Sequence, residues 1–314
     1  MPIFPPIPRN PLVPAEERSR RGWQAEPNFR QVAEWVDEHC DCLYSSRALG
    51  GMFDRRFLLI PREYVETVAR REGDAKTLTA YRVRTPKGDL RSVEETVKGI
   101  STTYYTEPLL KNKEDVEKIL SVPFSFAKPD LKPFFDEREK LGERGVMQVS
   151  ISTPLVCVSR MLDFTRFFHW CVSERETIAR LLRTAQERIA VKLEYLLQKG
   201  VGPCFWFGGS EQATPPLMSN RFFDELVVAY DRPLFELVHR YGGLVHVHCH
   251  GRVNTVLERF VQMGADMLDP VEPPPSGDID IAEAKRRARG RITLMGNIDC
   301  LLYTSPSPRD RTRS

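Results

Sequence analysis

The sequence predicts an α/β fold, and within that class a (β/α)8 barrel. From about residue 145 onward, strand and helix patterns alternate at the spacing of βα units, which builds a parallel sheet covered by helices. Polar residues, including Glu211, His248 and Asp269, recur directly after predicted strands, where barrel enzymes carry their catalytic groups. No Gly-x-Gly-x-x-Gly run follows an early strand, which weakens the alternative of an open dinucleotide-binding sheet.

The N-terminal third is predicted to add two features to the barrel. Residues 1–27 are proline-rich and charged, which favours an extended arm that could order at the interface of a homodimer. Residues 28–299 are assigned to the barrel domain. Within them, residues 77–85 alternate between apolar and polar before a turn signal at 86–89, so a β-hairpin is expected there as an addition to the main fold.

Two start signals support the helix assignments. Asn112 can cap a helix that begins at Lys113, and Ser173 with Glu176 matches a capping box that would open a long helix. Barrel strands are predicted at residues 40–44, 146–152, 204–207, 244–248, 266–269 and 291–295. Helices are predicted at residues 29–38, 113–120, 173–197, 219–241, 254–263 and 280–288.

The stretch 243–251 carries the chemistry of the chain. His246, His248 and His250, half of the six histidines, occupy alternate positions on a predicted strand, so all three share one face while Cys249 faces the core. Three imidazoles in register can act as metal ligands, proton carriers or donors to an anionic substrate. The structural alternative is a buried strand whose histidines bond to backbone carbonyls.

Acidic residues follow the neighbouring strands. Glu211 is a candidate metal ligand or general base, or else a solvated acid that caps the next helix. Asp269 and Glu272 lie on a proline-stiffened loop that would hold them ready for a cation or a substrate hydroxyl, although a rigid connector with incidental acids fits equally. Asp299 carries the same ambiguity as a substrate-binding residue. The aromatic run at 205–207 is expected to be core.

Composition narrows the function classes. The formal net charge is +3 over 314 residues and no Lys/Arg block alternates with aromatics, which argues against nucleic-acid binding. No run of roughly 20 apolar residues and no leader pattern occurs, so we expect a cytoplasmic protein without membrane contact. The seven scattered cysteines suggest reduced thiols. A small molecule is the expected substrate.

Six short motifs, taken in order, resemble the uroporphyrinogen decarboxylase superfamily over about residues 100–299. They are Ser152-Thr-Pro-Leu155, Gly208-Gly-Ser-Glu211, Leu217-Met-Ser219 with Phe222 and Phe223, His248-Cys-His-Gly251, Gly264-Ala-Asp266 and Gly296-Asn-Ile-Asp299. The resemblance implies a (β/α)8 barrel with its pocket at the carboxyl ends of the strands. That superfamily contains both metal-free decarboxylases and zinc-dependent, corrinoid-linked methyltransferases, so the fold alone does not decide the reaction.

Two departures from the family pattern favour the methyltransferase branch. The decarboxylases hold their polycarboxylate substrate with an arginine-rich motif, and we assign only Arg47 to substrate binding in that region, with His246 beside it. The methyltransferases carry His-x-Cys-Gly, and aligning Gly251 puts His248 and His250 at their two ligand positions. The resemblance thus implies zinc held by these two histidines, with Glu211 as the candidate third ligand and a corrinoid or corrinoid protein as methyl donor. Decarboxylation and a non-catalytic metal- or tetrapyrrole-binding barrel stay open.

Residues 300–314 break the pattern. They show no βα continuation and resemble translated vector sequence, so we expect a non-native tail joined after the seventh barrel strand. A barrel truncated before its eighth strand would expose an unpaired edge and fold poorly.

Overall fold

The computed structural model describes residues 12, 31, 34–36, 38–49, 51–98 and 103–296. Ten strands form two sheets in this part of the chain. They are β1 (Cys42–Ser45), β2 (Val65–Glu72), β3 (Lys76–Val83), β4 (Leu90–Val97), β5 (Thr103–Glu107), β6 (Gly145–Ser152), β7 (Cys204–Gly208), β8 (Leu244–His248), β9 (Met267–Asp269) and β10 (Thr293–Leu294). The predictions for most of the arm, for Asp299 and for residues 300–314 lie outside the described residues.

The main sheet has the strand order of a barrel wall. Strands β1, β6, β7, β8, β9 and β10 are hydrogen-bonded in that order, and every pair is parallel. Helical crossovers link successive strands from β6 onward, as the alternating pattern predicted. Within the described residues this sheet has six strands, which correspond to the six predicted ranges, so a seventh strand before the tail is not among them.

Nine α-helices are described in the range 113–288. They are α1 (Lys113–Leu120), α2 (Lys132–Leu141), α3 (Pro154–Ser159), α4 (Phe164–Ser173), α5 (Arg175–Gln198), α6 (Asn220–Phe223), α7 (Ala229–Arg240), α8 (Leu257–Met263) and α9 (Ile281–Ala288). A five-residue π-helical segment, Asp224–Val228, joins α6 to α7. None of the described helices is long and apolar enough to cross a membrane.

The two predicted helix starts have opposite outcomes. Asn112 caps α1 as expected, because its side chain accepts a hydrogen bond from the Asp115 backbone N–H. The Ser173 capping box is wrong, since α4 runs through Ser173 and α5 begins two residues later without a side-chain cap. Asp163 caps the start of α4, and Ser173 lies in the last turn of that helix, where its hydroxyl donates to the His169 carbonyl.

The expected hairpin is part of a larger, antiparallel sheet in the order β2-β3-β4-β5. Strands β3 and β4 pair over their full length around the predicted turn, which closes with a Gly88 N–H to Thr85 carbonyl bond. Alternation along β4 buries Leu90, Ser92 and Glu94 on one face. This face turns toward the loop after β1, where the Tyr81 and Phe57 rings pack edge to face at 5.3 Å.

The core lies between the outer face of the parallel sheet and the helices. Phe205, Phe207, Val245 and Val247 are fully buried on that face, and α5 behind them packs on α3 and α7. Burial of each such side chain contributes about 1.5–3 kcal/mol to folding. Because the side chains alternate, the intervening residues of β7 and β8 face the inside of the sheet. That inner face carries the site.

Candidate functional site

The histidines and their acidic partner meet at the carboxyl end of the parallel sheet. Strand register sets Trp206 beside His246, and His248 beside Asp269 on the next strand. The predicted alternation is confirmed for His246 and His248, which share the inner face while Cys249 is fully buried, but His250 lies beyond the end of β8. Parallel pairing alone therefore brings residues about 20 apart in sequence into contact.

Asp269 contacts two of the histidines. Its Oδ2 lies 3.0 Å from His248 Nδ1 in a hydrogen bond. Its Oδ1 lies 2.7 Å from His246 Nε2, which is an ion-pair distance. These two buried atoms are not aligned for a hydrogen bond. On its other side, His246 Nδ1 lies 2.8 Å from the Gln148 side-chain oxygen. His246 is thus held within the sheet, whereas His248 stands nearer to the opening.

The third histidine has its own carboxylate. His250 Nδ1 lies 3.0 Å from Glu272 Oε1, and the second oxygen of Glu272 accepts the backbone N–H of Gly251 at 2.6 Å. The His250 ring meets the His248 ring edge to face, with centroids 4.6 Å apart. Glu272 is largely buried and His250 is about half exposed. The predicted loop carboxylates therefore orient the histidines directly.

Glu211 lies on the turn that follows β7. Gly209 makes this turn possible, because its φ is +115° and a Cβ there would come within 1.8 Å of the Val156 side chain. The Oε2 atom of Glu211 is buried and has no hydrogen-bond partner in the described chain. A buried, unpartnered carboxylate oxygen is costly unless a cation or donor completes it.

The pKa values of Asp269 and His248 are shifted by their surroundings at the site. Burial would raise the pKa of Asp269, but the close contact and charge of His246 and the hydrogen bond and charge of His248 outweigh it and hold that pKa far below its ordinary value. Burial likewise opposes a charged His248, yet the bond to Asp269 and its charge dominate and raise the pKa of the imidazole. Glu211 and Glu272 act in the same direction on His248. The site therefore favours a bound cation.

The donor set fits a metal such as zinc in part. His248 and His250 each present Nδ1 to a carboxylate, which fixes the ring and leaves Nε2 outside the pair, as in carboxylate–histidine–metal arrangements. Glu211 adds a buried oxygen without a partner. Among the described residues, however, no three His, Cys, Asp or Glu side chains already stand in the geometry of a metal cluster.

A cavity of about 380 Å³ opens beside this site. It is lined by Trp206, whose ring centroid lies 5.0 Å from that of His248, and by Arg55 and Arg56 from the loop after β1. Trp206 is thus partly exposed at the cavity, not core as expected, whereas Phe205 and Phe207 are buried as expected. Arg47 is exposed in the same loop. The adjacent arginines Arg55 and Arg56 are the sequence signal that the assignment of Arg47 alone overlooked.

The fold and site define an α/β-barrel type of protein with histidines and carboxylates at the strand ends. The family model for uroporphyrinogen decarboxylase (URO-D) matches residues 96–311, and the chain belongs to this family. No curated protein matches the sequence. Among solved structures, a methyltransferase from Methanosarcina mazei is similar, with 17% identity and a TM-score of 0.47. The match covers 63% of this chain and 56% of that one, so the chain spans just over half the length of that methyltransferase.

Proposed function

We propose that this chain is a URO-D-family enzyme that catalyses metal-assisted methyl transfer from a corrinoid or a similar donor to a small acceptor. The observation that supports this most is the pairing of His248 with Asp269 and of His250 with Glu272 at one strand end. Each carboxylate holds its ring with Nε2 turned away from the pair, ready for a ligand. Glu211 supplies the third donor.

Zinc, when bound, supplies Lewis acidity that lowers the pKa of a ligating thiol. The chain's own groups do the rest of the work. Asp269 keeps His248 in the tautomer that has its proton on Nδ1, and its negative charge increases the basicity of the ring. Trp206 stands against His248 and closes one side of the adjoining cavity, which limits access of water to the ring.

Decarboxylation of a porphyrinogen without metal is the alternative that the family allows. It requires a dense set of arginines around the substrate. The cavity beside the histidines has two, Arg55 and Arg56, and Arg56 is paired with Asp54 at 2.7 Å. The (β/α)8 barrel fold and a corrinoid protein as partner belong to the same proposal. Both are expected from the family resemblance and neither is needed for the argument about the metal.

The test is the metal content of the full chain after equilibration with zinc and removal of the excess. We expect about one zinc per chain, falling to background in His248→Ala and in His250→Ala. His239→Ala is the matched control, because His239 also bonds a carboxylate, Asp266 Oδ2 at 2.9 Å, away from the site. Background zinc in the parent protein, or equal zinc in all four proteins, would overturn the proposal.

A further inference from the structure

A second, larger cavity of about 820 Å³ lies outside the histidine site. It is bounded by α5, by the loop after β1 and by the segment before α2. Most of its lining is apolar, contributed by Leu49, Met52, Phe57, Leu59, Ile60 and Phe126. Its volume falls within the range that drug-sized ligands occupy in proteins.

One buried cation lines this cavity. Lys192 is 7% exposed, and its ammonium donates to the Met52 carbonyl at 2.9 Å. It forms no ion pair with any carboxylate of the described chain. Asp54, whose charge acts on Lys192, is engaged by Arg56 through 2.7–3.1 Å contacts. Burial lowers the pKa of Lys192 to about 8. An unpaired buried ammonium is unfavourable unless an anion compensates it.

A second buried cation lies one turn earlier on the same helix. Arg188 is 5% exposed and donates to the carbonyls of Leu58 and Val122, again without a carboxylate partner in the described chain. The guanidinium carbon of Arg188 and the ammonium of Lys192 lie 5.4 and 5.9 Å from the centroid of the same ring, that of Phe124. Arg188 does not line the cavity, but its positive charge acts on Lys192 and adds to the positive potential around the ammonium.

We infer that this cavity binds an apolar molecule that carries one carboxylate, with the carboxylate at Lys192 and the apolar body against the lining. The charge complementarity selects the anionic head, and the lining selects the apolar body. Other charged or titratable groups that act on the amine are the Cys157 thiol, Asp54 and Arg188. Arg56, Arg62, Glu63 and the Tyr81 hydroxyl lie elsewhere on the lining. No histidine lines this cavity, although it shares Leu49, Gly51, Asp54 and Arg56 with the cavity beside the histidine site. Its occupation does not depend on the proposed methyl transfer.

The test compares decanoate with 1-decanol as ligands of the full chain, using displacement of a fluorescent apolar probe without added metal. A charge-assisted hydrogen bond at Lys192 predicts that decanoate binds about tenfold or more tightly than decanol. In Lys192→Met, decanoate should weaken to the affinity of decanol while decanol is unchanged. Lys199→Met, at the exposed end of the same helix, is the control and should bind as the parent does.

A pH series on the parent protein keeps the inference testable if Lys192→Met fails to fold. Decanoate stays ionised above neutral pH, so its affinity should fall between pH 7 and 9 as Lys192 loses its proton, while decanol affinity stays constant. Absence of saturable binding, or equal affinity for both ligands, would overturn the inference. Because zinc is absent throughout, either result leaves the proposed function to its own test.

Discussion

Replacing Asp269 with asparagine tests how the site is built. The substitution keeps the shape of the side chain and removes the charge that lies 3.0 Å from His248 Nδ1 and 2.7 Å from His246 Nε2. A hydrogen bond to a charged group is worth about 1.5–3 kcal/mol and a neutral one about 0.5–1.5 kcal/mol. The difference, about 1–1.5 kcal/mol, corresponds to roughly a tenfold loss of zinc affinity.

The assay is a competition titration of the full chain against a fluorescent zinc indicator, with an NMR titration of the His248 ring in parallel. In Asp269→Asn, zinc should bind more weakly and the pKa of His248 should fall, because the carboxylate that raises it is gone. Asp266→Asn is the control, since Asp266 holds His239 at the opposite end of the same strand. Zinc affinity unchanged to within about twofold, with the pKa of His248 unmoved, would refute the reasoning.

Three further predictions concern neighbouring parts of the fold. Gly209→Ala should lower the free energy of unfolding by more than about 3 kcal/mol in urea titrations, because the added Cβ clashes with Val156. Gly200→Ala, whose Cβ would meet open space, should cost only about 1 kcal/mol. Equal losses in the two variants would contradict this. The pKa of Lys192 is about 8 in the folded protein and about 10.4 in the unfolded chain, so between these values the unfolded chain binds more protons. The free energy of unfolding, relative to that of Lys192→Met, should therefore rise by roughly 3 kcal/mol from pH 8 to 10.5. A difference that stays constant with pH would contradict this. His250→Ala should change stability by less than about 1 kcal/mol while abolishing zinc binding, and retained zinc in a titration would argue against its role.

Much of the site follows from periodicity. Alternation on β8 places His246 and His248 on one face, and parallel pairing brings Asp269 to them. The shared face was predicted, whereas the contact with Asp269 was not, because that residue was assigned to a cation or a substrate hydroxyl. The order of the parallel strands was accessible for the same reason. These features depend on backbone geometry that is the same in every βα unit.

Other features depend on packing that a single chain position does not specify. Ser173 and Glu176 match a capping box in sequence, yet the preceding helix, started by Asp163, continues through Ser173 and excludes it. The position of Arg55 at the cavity is set by an irregular loop, for which sequence offers no period. Burial of Lys192 on α5 is equally hidden, because a lysine on a long helix usually faces solvent.

The most direct test of the proposed function is consumption of methylcobalamin by the zinc-loaded full chain in the presence of a small thiol acceptor. We predict methyl transfer that is lost in His248→Ala and in His250→Ala and retained in His239→Ala. Two results would contradict the proposal: no transfer by protein that holds one zinc per chain, or metal-independent release of carbon dioxide from a porphyrinogen carboxylate. The second result would assign the chain to the decarboxylases of the family.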